Sequence, residues 1–97
     1  MNQPILRPAA AADLEQAYRW YEAQREGLGE EFLATVDVAL KSSAANPEMC
    51  PVVHRNTRRL LLRRFPYGIY YRPVEGQIVI VACFHASRNP RRWQARR

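Results

Sequence analysis

The chain has 97 residues, which is the size of one domain and leaves no room for a second. Hydrophobic residues make up 47% of it and charged residues 25%, a balance that excludes a disordered chain. No apolar run approaches the roughly 18 to 20 residues of a membrane span, and residues 1–14 lack the pattern of a secretory signal. We therefore expect a single cytoplasmic domain over residues 1–97.

The net charge of +6 conceals a division along the chain. Residues 1–48 carry four basic and eight acidic side chains, whereas residues 49–97 carry eleven arginines and one acid, Glu75. This segregation indicates an anionic partner, either nucleic acid or an acidic protein segment. A solvated arginine-rich face would explain the preference for Arg over Lys, but it would not explain the segregation.

The first half of the chain predicts one short strand and two helices. Residues 4–8 are bounded by prolines and predict an edge strand, because Pro cannot donate to a ladder. Helices are predicted over 9–26 and about 29–45, each from an apolar stripe at helical spacing. Gly27 suits a left-handed position between them, and Asn46-Pro47 ends the second. The short connection predicts an antiparallel helical hairpin.

The second half predicts three or four antiparallel strands. A brief strand is predicted over 51–54, and longer ones over 58–65, 68–74 and 77–84. The last is apolar on both faces, so we expect it in the centre of the sheet. Glu75-Gly76 forms the turn that precedes it.

These elements define the fold class as α+β. We expect an N-terminal edge strand, an antiparallel helical hairpin packed on a small three- to four-stranded antiparallel sheet, and a short basic C-terminal tail. Arg63, Arg64 and Arg72 would then lie on neighbouring strands near the surface of one sheet.

Established catalytic motifs are absent from the chain. It contains no GxGxxG, GxxxxGK[ST], HExxH or GxSxG. Cys50 and Cys83 lack the CxxC spacing, so we expect no metal site and no disulfide, with Cys83 a buried apolar residue. No cofactor is expected. Metal-independent phosphodiester cleavage would need a base, an acid and cations, for which His85 is the best titrating candidate and His54 the other in the basic half.

Each candidate for such chemistry also has a purely structural interpretation. Arginines 63, 64, 72 and 88 could hold phosphate, and Tyr70, Tyr71 or Trp93 could stack on a base. Alternatively, His85 is a hydrogen-bonded residue at a strand end, one of the two tyrosines belongs to the core, and Trp93 packs the tail onto the sheet.

The sequence at 58–93, RRLLLRRFPYGIYYRPVEGQIVIVACFHASRNPRRW, resembles the RelE/ParE superfamily of toxins from bacterial type II toxin–antitoxin operons. The predicted order of elements, the segment GLGEEFL at 27–33 and the helix stop at 46–47 match as well, so the resemblance covers about residues 5–93. ParE-like members are inhibitors that trap DNA gyrase on cleaved DNA. RelE-like members are metal-independent endonucleases that cut mRNA on the ribosome. We favour the ParE-like branch, and a copy that only binds its partner remains a third alternative.

The resemblance also implies partners and site residues. A ParE-like toxin would have no catalytic residues, while the endonuclease alternative would use His85, Arg64, Arg88 and Tyr71, with the ribosome and mRNA as partners. The paired lysines of RelE-type sites are missing, and Ala86-Ser87 follow His85, which departs from a related branch of nucleases. The antitoxin is expected to supply an acidic, partly disordered tail that docks on an arginine-rich sheet face with an apolar groove. The residues expected to bind antitoxin or target are Arg58, Arg59, Arg63, Arg64, Arg72, Arg88 and Trp93.

Overall fold

The computed structural model describes residues 3–87 and 90–96. The elements follow one another as β1 (Ile5–Leu6), α1 (Pro8–Gln24), α2 (Leu28–Ala45), β2 (Val52–His54), β3 (Thr57–Leu61), β4 (Tyr67–Val74), β5 (Gln77–His85) and α3 (Arg91–Gln94). The strands form one five-stranded sheet in the order β1-β5-β4-β3-β2. All neighbours are antiparallel except β1, which runs parallel to β5 at the edge. The predicted α+β class, edge strand and helical hairpin are confirmed.

Glycine and a partly buried carboxylate shape the helical hairpin. Gly27 adopts a left-handed conformation with φ 86°, which glycine tolerates without steric cost, and α2 begins directly after it. The Glu22 carboxylate accepts the backbone N–H groups of Gly27 and Gly29, both at 2.9 Å, and so satisfies donors at the start of α2. A Cβ atom on Gly29 would lie 2.8 Å from the Tyr18 ring, so this glycine allows the close approach of the two helices.

The third strand is shorter than the sequence predicts. We expected a strand over 58–65, but β3 ends at Leu61, so Arg63 and Arg64 lie in the connection to β4 and not on a strand. After β3 the chain bends over residues 63–66, where Arg64 adopts φ 70°, outside the extended region. Phe65 then turns inward, where it is only 5% exposed and packs edge-on against Phe32 at 5.3 Å between ring centroids.

Helices pack on both faces of the sheet, the hairpin on one face and the short α3 on part of the other. On the face toward the helical hairpin, Ile69 and Tyr71 belong to the main core with residues of both helices. On the opposite face, the Tyr70 ring stacks on Trp93 of α3 at 4.2 Å between centroids, beside Phe84. Tyr70 and Tyr71 are therefore both buried, on opposite faces, where the alternation had suggested only one in the core. Trp93 packs the tail onto the sheet as its structural interpretation predicts.

An ion pair holds the C-terminal tail against the edge of β5. The Arg96 guanidinium donates to both carboxylate oxygens of Asp13, at 2.7 and 3.2 Å, and to the carbonyl of Val81 at 3.1 Å. Asp13 also accepts the backbone N–H of Cys83 at 3.0 Å. Asp13 and Arg96 thus form hydrogen bonds with the N–H of Cys83 and the carbonyl of Val81. Without these bonds, the two backbone groups would be free to pair with another strand at the edge of β5. None of the helices in the described part of the chain is long and apolar enough to cross a membrane.

Candidate functional site

An apolar groove of about 540 Å³ separates α2 from the end of β3. Three large apolar side chains line it and face solvent: Val38 is 69% exposed, Leu61 54% and Met49 52%. Isolated exposed apolar residues are common on protein surfaces, but several in one groove are typical of a surface that binds a partner. We define this groove, with Arg63 and Arg64 at its end, as the α2–β3 groove.

Arginines border the groove on the side of the β3–β4 connection. Arg64 is 56% exposed by side chain and donates to Glu31 at 2.7 Å, while Arg25 binds the other oxygen of that carboxylate at 3.1 Å. The hydrogen bond from Arg64, followed by that from Arg25, lowers the pKa of Glu31 below its ordinary value. Arg63 is exposed and pairs with no carboxylate among residues 3–87 and 90–96. One arginine is therefore fixed in position and the other is available to an acidic partner.

Sequence reasoning missed the apolar residues of this groove. The apolar stripe that the sequence predicts for α2 consists of Phe32, Leu33, Val36, Ala39 and Leu40. It includes Ala39 of this groove but not Val38, which is 69% exposed. An apolar residue on the solvent-facing side of an amphipathic helix is unexpected, so Val38 could have indicated a binding surface. Leu61 and Met49 carried no comparable signal, because their exposure depends on where β3 ends and on how residues 46–51 run beneath the helix.

A second pocket of about 580 Å³ lies between α1 and the adjacent ends of β4 and β5. It is lined by the half-exposed Trp20 and by Tyr67 and His85, whose rings lie 5.4 Å apart. The Nδ1 atom of His85 accepts the backbone N–H of Ser87 at 3.1 Å and lies 2.7 Å from its hydroxyl. In a neutral ring the proton is therefore on Nε2. This arrangement matches the structural interpretation of His85 as a hydrogen-bonded residue at a strand end.

The structure does not bring together the described residues of the endonuclease alternative. His85 lines the second pocket, and Arg64 borders the α2–β3 groove. Tyr71 is fully buried, donates its hydroxyl to the carbonyl of Pro47 at 2.8 Å, and has its pKa raised by burial. It cannot contact a substrate at the surface. Arg88 lies outside the described residues.

Several of the arginines expected to bind a partner also have contacts within the protein. Arg58 donates to the carbonyls of Cys50 at 2.6 Å and Glu48 at 3.2 Å, and so fixes the segment before β2. The Arg59 side chain crosses Gly68, where an added Cβ would lie 3.2 Å from it. Arg72 donates to the Thr57 hydroxyl at 2.9 Å and to the carbonyl of residue 96.

Two further aspects of the described chain bear on its chemistry. Within residues 3–87 and 90–96, no group of three or more His, Cys, Asp or Glu side chains is placed to hold a metal ion. Cys50 and Cys83 are both free and buried.

Comparison with known proteins identifies the family. Residues 5–90 match the family model described as the ParE toxin of the type II toxin–antitoxin system parDE. A solved structure described as the chromosomal ParDE system from P. aeruginosa has the same fold, with a TM-score of 0.65 and 22% sequence identity over 88% of this chain and 96% of that one. A search of curated proteins returns no match.

Proposed function

This chain belongs to the ParE toxin family of type II toxin–antitoxin systems, and from this membership we propose that it poisons DNA gyrase in the cytoplasm and is neutralised by a cognate antitoxin. The proposed toxin acts by binding and not by catalysis. The burial of Tyr71 and the binding of Arg64 to Glu31 support this choice over an endonuclease, because general acid–base catalysis requires its groups within reach of one substrate atom.

The α2–β3 groove is the observation that supports antitoxin binding. Its exposed residues, Val38, Met49 and Leu61, form an apolar surface that one face of an amphipathic segment can cover. Arg63 and Arg64 stand at the end of this surface, so acidic residues beside the apolar face of the segment would meet positive charge. A disordered acidic tail that folds into the groove would combine both contacts.

Docking in this groove would be driven mainly by burial of apolar side chains. Full burial of a Val, Leu or Met side chain contributes about 1.5–3 kcal/mol, and more than half of each of the three is still accessible. The arginines contribute more to the rate and specificity of capture than to affinity, because exposed ion pairs are screened by salt. This proposal therefore assigns to Arg63 and Arg64 the capture of an acidic tail, which the sequence analysis assigned to an arginine-rich face of the sheet.

The test uses gyrase, the toxin and the product of the reading frame directly upstream, which we expect to be a DNA-binding protein with an acidic tail. Wild-type toxin should block supercoiling of relaxed plasmid and accumulate cleaved DNA, and the upstream protein should restore supercoiling. Normal supercoiling at saturating toxin would refute gyrase as the target. If mRNA were instead cut in a parallel translation assay, and the cuts were lost in His85→Ala, the endonuclease alternative would hold.

A matched pair of variants tests the groove. Val38→Asp places a negative charge in the groove, so it should still block gyrase but should no longer be neutralised by the upstream protein. Val74→Asp makes the same change at a 43% exposed valine at the end of β4, outside the groove residues, and should be neutralised like the wild type. Neutralisation of both variants would show that the antitoxin binds elsewhere.

A further inference from the structure

Three arginines converge on the face of the sheet that is turned away from the helical hairpin. Arg72 lies in β4 next to Tyr71, which faces the helices, so Arg72 is directed to the opposite face. Its cross-strand neighbour in β5 is Val79, whose other neighbour is Ile5 of β1. Arg7 follows Ile5 by two residues in extended chain and therefore shares this face.

The third arginine is Arg55, which lies on the β3 side of Arg72, opposite Arg7. The Nε atom of Arg72 donates to the Thr57 hydroxyl at 2.9 Å, and Arg55 precedes Thr57 by two residues in the turn between β2 and β3. The pKa of Arg72 is lowered by burial and by the positive charges of Arg7 and Arg55, which agrees with the proximity that the strand register gives. We call Arg7, Arg55 and Arg72 the open-face arginines.

No acidic side chain neutralises this cluster. Among residues 3–87 and 90–96, carboxylates pair with Arg19, Arg25, Arg64 and Arg96 but with none of the open-face arginines. Like charges brought together repel one another, and no carboxylate side chain among the described residues offsets that repulsion. Arg55 also occupies a left-handed conformation with φ 52°, which is unfavourable for a residue with a side chain. An anionic ligand would relieve the repulsion.

The Arg72 guanidinium is preorganised to bind such a ligand. Its guanidinium donates to the Thr57 hydroxyl and to the carbonyl of residue 96, each at 2.9 Å. These two bonds fix its plane and use two of its five N–H groups. Because the group is already oriented, less side-chain entropy is lost when it binds an anion.

The shape of the cluster favours a nucleic-acid backbone. Neighbouring strands lie about 4.8 Å apart, so the cluster, from β1 to the turn before β3, extends over about 14 Å. That length equals the axial rise of about four nucleotide steps of one strand, at about 3.4 Å each. The acidic segment of an antitoxin has a better receptor in the α2–β3 groove, where charge and apolar surface occur together.

The aromatic residues of this face are not available to stack on bases. Tyr70 and Trp93 stack on one another and are 3% and 4% exposed, so neither ring is available to a base. We propose that Arg7, Arg55 and Arg72 form a binding site for nucleic-acid backbone phosphates that holds the protein on DNA or RNA without aromatic stacking on the bases. The site goes beyond the proposed function, since it requires neither gyrase nor antitoxin.

The test measures binding of the full-length protein to a fluorescent 20-base-pair DNA duplex by anisotropy, from 50 to 200 mM salt. The variants are Arg7→Gln, Arg55→Gln and the double variant; Arg72 is left intact because it also holds the tail. Arg19→Gln is the matched control, because it makes the same change of charge at an exposed position paired with Glu15 on α1.

Each phosphate contact changes the slope of log K against log salt by about 0.9. We therefore expect each single variant to lose about 0.9 of the slope and the double variant about 1.8. Between 50 and 200 mM salt, the affinity of the wild type should fall about 3.5-fold more than that of a single variant. Arg19→Gln should match the wild type. A parallel series with single-stranded RNA of 20 nucleotides identifies the source of the phosphates, and preference for either nucleic acid supports the site.

Three results would overturn the proposal. Wild-type protein that fails to bind either nucleic acid at 50 mM salt would show that no such site exists. Equal losses in Arg19→Gln and in the two variants would show that only the overall charge matters. Unchanged DNA binding in the double variant, with weakened binding of a polyglutamate peptide, would assign the cluster to an acidic protein. None of these outcomes depends on whether the protein poisons gyrase.

Discussion

Removing the Asp13–Arg96 ion pair should destabilise the fold far more than removing an exposed pair on the same helix. The side chains of Asp13 and Arg96 are only 12% and 25% exposed, and Asp13 in addition accepts the Cys83 N–H. Breaking a fully buried pair costs about 3–5 kcal/mol, so we expect about 2–3 kcal/mol for Asp13→Ala in this partly solvated site. In a domain of this size that loss lowers Tm by about 10–20 °C.

A double-mutant cycle separates the ion pair from its surroundings. Urea unfolding of Asp13→Ala, Arg96→Ala and the double variant should give a coupling energy of about 1–2 kcal/mol. The same cycle on Glu15 and Arg19, one turn apart on α1 and 61% and 75% exposed, should give about 0.5 kcal/mol or less.

Fluorescence reports on the tail separately from global unfolding. In a Trp20→Phe background, the emission of Trp93 should shift to longer wavelength in Arg96→Ala below the unfolding transition, because α3 loses its anchor on β5. Equal coupling energies in the two cycles, with no change in Trp93 emission, would refute the reasoning that this pair holds the tail.

Three further substitutions test local features of the fold. Glu75→Asn should raise the free energy of unfolding in urea by about 0.5–1 kcal/mol. Residue 75 adopts φ 50° in the two-residue turn with Gly76, a conformation that favours Asn. A lower free energy of unfolding would contradict this prediction. Gly29→Ala should destabilise it by about 1–3 kcal/mol, since the new methyl group would lie 2.8 Å from the Tyr18 ring; an unchanged urea midpoint would mean that the helices separate without cost. Burial raises the pKa of the Cys83 thiol to about 12. In a Cys50→Ser variant at pH 8, mass spectrometry should therefore show that iodoacetamide modifies Cys83 only after unfolding. Rapid labelling of the native protein would contradict the burial of this thiol.

The elements that could be predicted are those whose patterns are local. Both helices and the strand over 77–84 follow from apolar periodicity, and Gly27 marks the turn because only glycine adopts φ 86° freely. The end of β3 could not be predicted in this way. Residues 58–65 are compatible with a longer strand, and only the burial of Phe65 against the helices explains why the chain turns at Arg64.

The candidate sites were predicted less completely than the fold. The concentration of arginines was visible in the sequence, but their partners were not: Arg64 pairs with Glu31, and Arg72 bonds to Thr57 and to residue 96. Arg7 and Arg55 were not among the residues expected in a site, because nothing local distinguishes them from other arginines. Their significance appears only when the sheet order brings β1 and the β2–β3 turn to opposite sides of Arg72.

By itself, the sequence determined an α+β fold with an acidic helical half and a basic sheet half, because composition and periodicity are properties of neighbouring residues. Only the tertiary structure decided how those charges are used. The pairing of Asp13 with Arg96, the exposure of Val38 beside Leu61, and the convergence of arginines around Arg72 each join residues that are distant along the chain. Such contacts depend on strand order and register, which no local pattern specifies.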